Sequence, residues 1–198
     1  MPEETISTWI ARLSHKDADE RADAAHELFR FGCAMAEPVL RRWLANADFR
    51  ALARSGSSLL TVGIAVEPHR FEGIRKAFGE PKLADAPADQ DVIEFELEFA
   101  HGVRLDILTT RAPEGGGAIA RFLSRSGEGV QQVECDVRDV VSATEVLRKQ
   151  LGVEPIYPEV HSGANGTRVN FFLVPAAENR KVLIELVEVS VPVRKKRK

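Results

Sequence analysis

The first fifty residues carry apolar side chains at the spacing of amphipathic helices. Four of them fall at i, i+3, i+4 and i+7 of a first helix: Ile6, Trp9, Ile10 and Leu13. A second helix is predicted from the N-cap residue Asp17 to Gly32, and a third begins near Pro38, which is tolerated in the first turn of a helix. Residues 1–52 are therefore predicted to form a small all-α segment.

The middle of this segment, residues 17–46, resembles a helical repeat of the HEAT type. Its pattern is Asp-Glu, Arg, Ala-Ala, Leu and Gly, followed by a second apolar helix. One such repeat cannot bury its apolar face alone, so we expect it to pack on the following domain or on a second subunit. The small, polar stretch 53–58 is predicted to be a linker.

After residue 59 the apolar positions alternate with polar ones, as they do in half-buried strands. Glu94, Glu96 and Glu98 alternate with apolar neighbours, which gives that strand one acidic face. Further strands are predicted at 60–66, 103–108, 130–137, 169–173 and 181–187, and helices at 69–78, 118–123 and 140–151. The order of these elements indicates a faint duplication, with copies at 59–109 and 129–189. Because repeated units bury faces against each other, we expect a cleft between the two copies.

The composition is that of a globular protein, with 44% hydrophobic and 29% charged residues. A net charge of −3 does not favour nucleic-acid binding, and no apolar run is long enough to cross a bilayer. Since the acidic start of the chain does not resemble a secretory signal, a cytoplasmic protein is expected. Residues 190–198 are interpreted as a basic, solubilising tail, and Cys33 and Cys135 as buried thiols.

Six short segments, taken in order, resemble the vicinal-oxygen-chelate superfamily (the glyoxalase and bleomycin-resistance fold), and in particular methylmalonyl-CoA epimerase. They are residues 62–66, 118–123, 127–129, 163–166, 172–175 and 182–188. The resemblance implies an α+β fold in which paired βαβββ modules form a half-barrel cleft over residues 59–189. It also implies a small anionic or acyl-thioester ligand, such as an acyl-CoA. Homodimers are common in that superfamily, so the resemblance leaves a homodimer open.

The resemblance also implies a metal site, because the superfamily holds a divalent cation on four strand residues, usually two His and two Glu or Gln. Carried over position by position, the ligands would be Thr61, Asp106, Gln132 and Glu185. Both family histidines are therefore missing. Oxygen donors suit Mg²⁺, Mn²⁺ or Ca²⁺ and disfavour Zn²⁺, Co²⁺ or Ni²⁺. The site either takes a hard cation or has lost its metal, and we favour the loss.

An epimerase further requires two acid/base groups, one on each side of the substrate. The resemblance assigns these catalytic roles to Glu185 and Asp89, although an ungapped count from Asp106 gives Gln90 in place of Asp89. If Asp106 and Glu185 face each other, raised pKa values would suit them to proton transfer. Arg104 is expected on the opposite face from Asp106 and therefore not as its partner.

Three functions remain open. The first is a divergent superfamily member that binds a small anionic or acyl-thioester ligand at a degenerate metal site. The second is an active isomerase or lyase that uses an oxygen-ligated cation or a metal-free pair of carboxylates. The third is a protein-interaction module with an exposed apolar groove on the N-terminal helices, around Trp9, Phe29 and Trp43. Core packing is the alternative use of those aromatic residues.

Overall fold

The structure is a computed structural model that describes residues 5–54, 59–176 and 180–188. The helices are α1 (Ile6–Arg12), α2 (Ala18–Ala45), α3 (Ala47–Leu52), α4 (Pro68–Ala77), α5 (Ala118–Ser126) and α6 (Val140–Leu151). The strands are β1 (Leu60–Ala65), β2 (Ile93–Glu98), β3 (Arg104–Thr109), β4 (Gly129–Val137), β5 (His161–Ser162), β6 (Arg168–Pro175) and β7 (Lys181–Glu188). The predicted strands and helices after residue 59 are confirmed, apart from small shifts at their ends. The basic tail at 190–198 and the linker residues 55–58 lie outside the described residues.

The seven strands form one mixed sheet that curls into a half-barrel, in the order β2-β3-β1-β4-β7-β6-β5. The first copy supplies β1 to β3 and the second supplies β4 to β7. Antiparallel pairing of β1 with β4 joins the two copies at the centre of the sheet. Within each copy the first strand runs parallel to the last one. The predicted α+β fold with a half-barrel cleft and a preceding helical segment is therefore confirmed.

The two copies differ in the segment that follows their helix. Residues 79–92 of the first copy form no regular strand, although Ala84 N donates a hydrogen bond to Glu94 O at 2.9 Å. Pro81 and Pro87 lie in this segment and have no amide hydrogen to donate to a strand ladder. The first copy is therefore βαββ, whereas the second is βαβββ with β5 reduced to two residues.

The helical segment differs from its prediction, because α2 is one continuous helix of 28 residues. Asp17 caps it as expected, accepting a hydrogen bond from Asp19 N at 2.9 Å. Pro38 lies inside the helix on an exposed side, where water can reach the carbonyl group of Ala34 that a proline leaves unbonded. Gly32 does not end the helix but lies buried against Val62 of β1. The pair of helices expected of a HEAT repeat is not confirmed.

Helices α2 and α3 cover the outer, convex face of the sheet and share its apolar cores. In one core the Trp43 ring centroid lies 5.5 Å from that of Phe49 and 5.6 Å from that of Phe172 in β6. Trp43 is therefore a core residue and not part of an exposed groove, whereas Phe29 lines a shallow groove beside Leu60. None of the helices in the described ranges combines the length and apolar character needed to span a membrane.

The start of the predicted linker is attached to the sheet. Ala53 forms an isolated bridge with Val137, and Arg54 N donates a hydrogen bond to Asp136 O at 3.0 Å. The helical segment is thus held against β4 by its backbone as well as by its apolar side chains.

Gly32→Ala is expected to destabilise the protein, because the added Cβ would overlap both γ carbons of Val62, one of them at 2.8 Å. Overpacking of this kind costs about 1–3 kcal/mol, which exceeds the ~1 kcal/mol that alanine gains over glycine in a helix. The free energy of unfolding in urea measures the effect. Gly73→Ala in α4 is the matched control, since its nearest contact would be Ser14 Oγ at 3.5 Å, and it should stabilise the protein. Equal stabilisation by both changes would contradict close packing of α2 on β1.

Candidate functional site

The concave face of the half-barrel holds a cleft of about 370 Å³. Six acidic side chains line it: Glu94, Glu96, Asp106, Glu134, Asp136 and Glu185. The basic side chains that line it are Lys82, which is exposed, and Arg104. The cleft is therefore strongly acidic in composition.

Strand alternation and register bring the acids of the second copy together. Gln132, Glu134 and Asp136 are two residues apart along β4, so their side chains share a face of the sheet. Glu134 lies opposite Thr61 of β1 on one side and opposite Glu185 of β7 on the other. Of these residues, Thr61, Glu134, Asp136 and Glu185 line the cleft and form one of its walls.

The side-chain amide of Gln132 connects two of these acids. Its Nε2 donates to Glu185 Oε2 at 2.5 Å and to Glu134 Oε1 at 3.3 Å. The close approach of β1 allows this position, because a Cβ added at Gly63 would lie 2.6 Å from Gln132 Cγ. The missing side chain of Gly63 thus leaves room for the amide that holds Glu134 and Glu185.

The acids of the first copy form the other wall. Asp106 of β3 lies in register with Glu96 of β2, and its side chain shares a hydrogen bond with Glu94. Burial raises the pKa of Asp106 well above its usual range, and the charges of Glu94, Glu134 and Glu185 raise it further. Burial also raises the pKa of Glu94, against the opposing effect of its hydrogen bond to Asp106.

The acids of the second copy are perturbed in the same direction. Burial raises the pKa of Glu134 to about 8, although the hydrogen bond from Gln132 opposes the shift. Burial raises the pKa of Glu185 well above its usual range, with contributions from the charges of Glu134 and Glu94. Because these groups interact, protons near neutral pH belong to the cluster as a whole and not to single residues.

Arg104 occupies the concave face as well, two residues from Asp106 on the same strand. The expectation that it would lie on the opposite face is wrong, since residues i and i+2 of a strand point the same way. Its Nη2 lies 3.2 Å from Asp136 Oδ2, and its Nη1 lies 3.8 Å from Glu96 Oε1. Burial raises the pKa of both carboxyl groups, and the guanidinium group opposes that shift without cancelling it.

Three of the residues assigned from the family pattern, Thr61, Asp106 and Glu185, line the cleft, and Gln132 contacts it through Glu185. Asp89 is exposed and does not line the cleft. Gln90 does line it, and its Nε2 donates to Ser162 O at 3.0 Å. The catalytic and metal-binding roles of these residues remain predictions.

The family pattern did not point to Glu134 or Glu94. The signal for Glu134 was present in the alternation of β4, which places it on the same face as Gln132. The signal for Glu94 was the acidic face that alternation predicts for its strand. Conversely, none of the chain's five histidines, all within the described ranges, lines the cleft.

The donor atoms of the cleft suit a hard cation in their chemistry, because they are carboxylate, amide and hydroxyl oxygens. Their arrangement is less suitable. Over residues 5–54, 59–176 and 180–188, no group of three or more His, Cys, Asp or Glu side chains is placed to hold a metal ion.

A strap of residues 79–92, from the first copy, reaches the second copy across the mouth of the cleft. Asp85 N donates to Asn165 Oδ1 at 3.0 Å, and Asn165 N donates to Asp85 O at 3.0 Å. The bond between Gln90 and Ser162 of β5 also joins the strap to the second copy. Since β2 and β5 are the opposite edges of the sheet, these bonds bridge the open side of the half-barrel.

The duplicated strands, the curled mixed sheet and its concave cleft define a fold of the vicinal-oxygen-chelate class. No protein-family model and no curated protein matches the chain. Solved structures do match. Methylmalonyl-CoA epimerase from Mycobacterium tuberculosis is similar with a TM-score of 0.55 and 29% identity, over 70% of this chain and 94% of that chain.

Two further structures show the same likeness. A hypothetical protein from Bacillus halodurans has a TM-score of 0.54 and 26% identity, over 67% of this chain and 94% of that chain. A methylmalonyl-CoA epimerase variant from Streptomyces coelicolor, in complex with 2-nitronate-propionyl-CoA, has a TM-score of 0.55 and 25% identity, over 71% of this chain and 99% of that chain. The fold of this chain is therefore like that of known epimerases.

The free energy of unfolding is expected to fall as the pH rises from about 5 to about 8. Glu134 has a pKa of about 8 in the folded protein against an ordinary value of 4.5, so only the folded state keeps this proton in that window. Glu134→Gln should remove this part of the slope and stabilise the protein at pH 8 by at least about 1 kcal/mol, since one pKa unit corresponds to about 1.4 kcal/mol. Urea titrations across pH measure it, with Glu72→Gln, at an exposed position of α4, as control. An unchanged slope in the Glu134 variant would contradict the raised pKa.

Asn165→Gly is expected to loosen the strap without straining the backbone. Asn165 has a positive φ of 53°, which glycine adopts readily. The change removes the side-chain amide whose oxygen accepts from Asp85 N and keeps the backbone N–H that donates to Asp85 O. The free energy of opening of the Asp85 amide should fall by about 0.5–1.5 kcal/mol, as measured by native-state hydrogen exchange. Glu80→Gly, at another positive φ of 57° in the strap, is the control. Equal acceleration by both variants would mean that the side-chain bond of Asn165 does not hold the strap.

Proposed function

We propose that this protein is an epimerase-like isomerase that moves a proton at the carbon next to the carbonyl group of an acyl thioester. The observation that supports it is a cluster of four carboxyl groups with raised pKa values on both walls of the cleft: Glu94, Asp106, Glu134 and Glu185. Acids perturbed in this way suit proton transfer. Two similar structures are named methylmalonyl-CoA epimerases, which supports an acyl thioester as the substrate class.

The reaction needs a base and a stabiliser of negative charge. Removal of the proton breaks the C–H bond and leaves its electron pair in an enolate, whose charge lies on the thioester oxygen. An ionised carboxylate can take the proton. A neutral carboxyl group with a raised pKa can donate a hydrogen bond to the oxygen. Because the four acids titrate together, the cluster can offer both forms near neutral pH.

We assign the base to Glu185 and the hydrogen-bond donor to Glu134, the two acids that Gln132 holds side by side. Asp106, with Glu94 as its partner, would return a proton to the opposite face of the same carbon. After one turnover Glu185 has gained a proton and Asp106 has lost one, and both protons then exchange with water. Solvent deuterium would consequently enter the substrate. We prefer Asp106 and Glu94 to Asp89 for this role because Asp89 is exposed.

A hard cation held by Thr61, Asp106, Gln132 and Glu185, the positions of the family pattern, is a second candidate, favoured by the all-oxygen donors of the cleft. Such an ion would polarise the carbonyl oxygen in place of a neutral carboxyl group. The two candidates differ in their response to a chelator. Carboxyl chemistry alone predicts no effect of EDTA, whereas the cation predicts loss of activity with EDTA and recovery with Mg²⁺, Mn²⁺ or Ca²⁺.

The test is deuterium incorporation at C2 of a panel of acyl-CoA thioesters in D₂O, followed by mass spectrometry. Glu185→Gln is expected to slow exchange of the stereoisomer whose proton Glu185 removes, and Asp106→Asn that of the opposite stereoisomer, each by about 10²–10⁴-fold, the usual contribution of a positioned acid or base. Exchange should also fall at low pH, where the base becomes protonated. Glu72→Gln is the matched control outside the cleft.

Folding of the variants is checked by urea titration. Each replaces a buried ionisable group by an uncharged amide of similar shape, so a stable but inactive variant would assign the loss to chemistry. Absence of exchange with every thioester, combined with thermal stabilisation by acyl-CoA, would contradict the isomerase and support the ligand-binding alternative. The interaction-module hypothesis would gain support if neither response occurred and the N-terminal helices captured a defined partner.

A further inference from the structure

The two walls of the cleft differ in a way that bears on the substrate. In register, Glu96 lies opposite Asp106 in the first copy, and Phe171 lies opposite Glu185 in the second. Glu94 and Val169 each lie two residues before these positions, so Glu94 of the first copy corresponds to Val169 of the second. The first copy therefore presents carboxyl groups where the second presents apolar side chains.

The half-buried basic side chain of the cleft already forms ion pairs. The guanidinium group of Arg104 lies against Asp136 and Glu96. Lys82, the other basic residue of the lining, is exposed. Among the described residues that line the cleft there is no third basic side chain. A carboxylate on the acyl group of a ligand would therefore approach Glu94, Asp106, Glu134 and Glu185 with Arg104 already paired and only the exposed Lys82 left to bind. The ionised member of the cluster, the base Glu185, would repel it, and burial of a charge without a paired cation adds a further cost.

We infer that the acyl group this cleft accepts is uncharged, with an apolar substituent at C2 that packs against Val169, Phe171 and Val187. This inference rests on the proposed isomerase function. The inferred substrate differs from the one in the names of two similar structures, because methylmalonyl-CoA carries a free carboxylate at C2. The substrate class is thus a 2-alkylacyl thioester without a second acid group.

A neutral acyl group also fits the proton chemistry. An enolate formed from it carries a single negative charge, which one neutral carboxyl group can stabilise by a hydrogen bond. An enolate formed from a malonyl-type group would carry two charges in a cleft of acids. The same cluster that suits proton transfer therefore selects against a charged substituent.

The experiment compares methylmalonyl-CoA with its methyl ester and with 2-methylbutanoyl-CoA, by deuterium exchange at C2 in D₂O. All three share one carrier, so its phosphates contribute equally. The two neutral thioesters are expected to exchange, with a kcat/KM for the ester at least about tenfold above that for the free acid, which corresponds to about 1.4 kcal/mol. Glu96→Gln is the second arm. It removes one charge beside Arg104, so it should raise kcat/KM for methylmalonyl-CoA several-fold and change 2-methylbutanoyl-CoA little.

The outcomes separate this inference from the function on which it rests. Exchange of methylmalonyl-CoA as fast as its ester, or a Glu96→Gln effect of equal size on charged and neutral thioesters, would overturn the inference and leave the isomerase standing. Exchange of none of the three would overturn both. Exchange of the ester and 2-methylbutanoyl-CoA, with the predicted response to Glu96→Gln, would support both.

Discussion

The antiparallel pairing of β1 with β4 determines what the cleft contains. It is the seam between the two copies, and its register sets Thr61 opposite Glu134. A slip of one residue would turn every β4 side chain to the other face, so Glu134 would enter the apolar core under α2. The register also depends on Gly63, whose lack of a side chain leaves the space that Gln132 fills. Backbone pairing and one small residue thus place the acids and the amide that holds them.

The acidic concave face destabilises the folded protein, and apolar burial on the convex face offsets that effect. Four interacting carboxyl groups with raised pKa values lower the stability of the folded state at neutral pH. The convex face carries two apolar cores, and both include residues of the N-terminal helices. The helical segment therefore contributes to the chemistry indirectly, because it supplies apolar burial to a sheet whose other face is destabilising.

The fold could be predicted from the sequence because two signals agreed with each other. The alternation of apolar and polar residues predicted the strands, and six short segments resembled the superfamily in the same order. Glu94 and Glu96 were predicted on one face of a strand, and they are. What alternation cannot show is that the sheet curls, which turns that acidic face into the wall of a cleft. Glu134 was missed because ligands were carried over from a family pattern to Gln132, although both residues share a face by simple periodicity. The continuity of α2 was missed because Gly32 predicted the end of one helix and Pro38 the first turn of the next. Only the packing shows Gly32 buried against Val62 and Pro38 on an exposed side of one helix.

The position of the aromatic residues has one more consequence. The chain has two tryptophans, and both lie in the N-terminal helical segment. Trp43 packs edge-on against Phe172 of β6, while Trp9 lies beside Phe31 of α2 with a ring-centroid distance of 6.3 Å. Neither ring lines the cleft. Indole fluorescence is consequently an intrinsic optical signal for the contact between helices and sheet, recorded separately from events on the concave face.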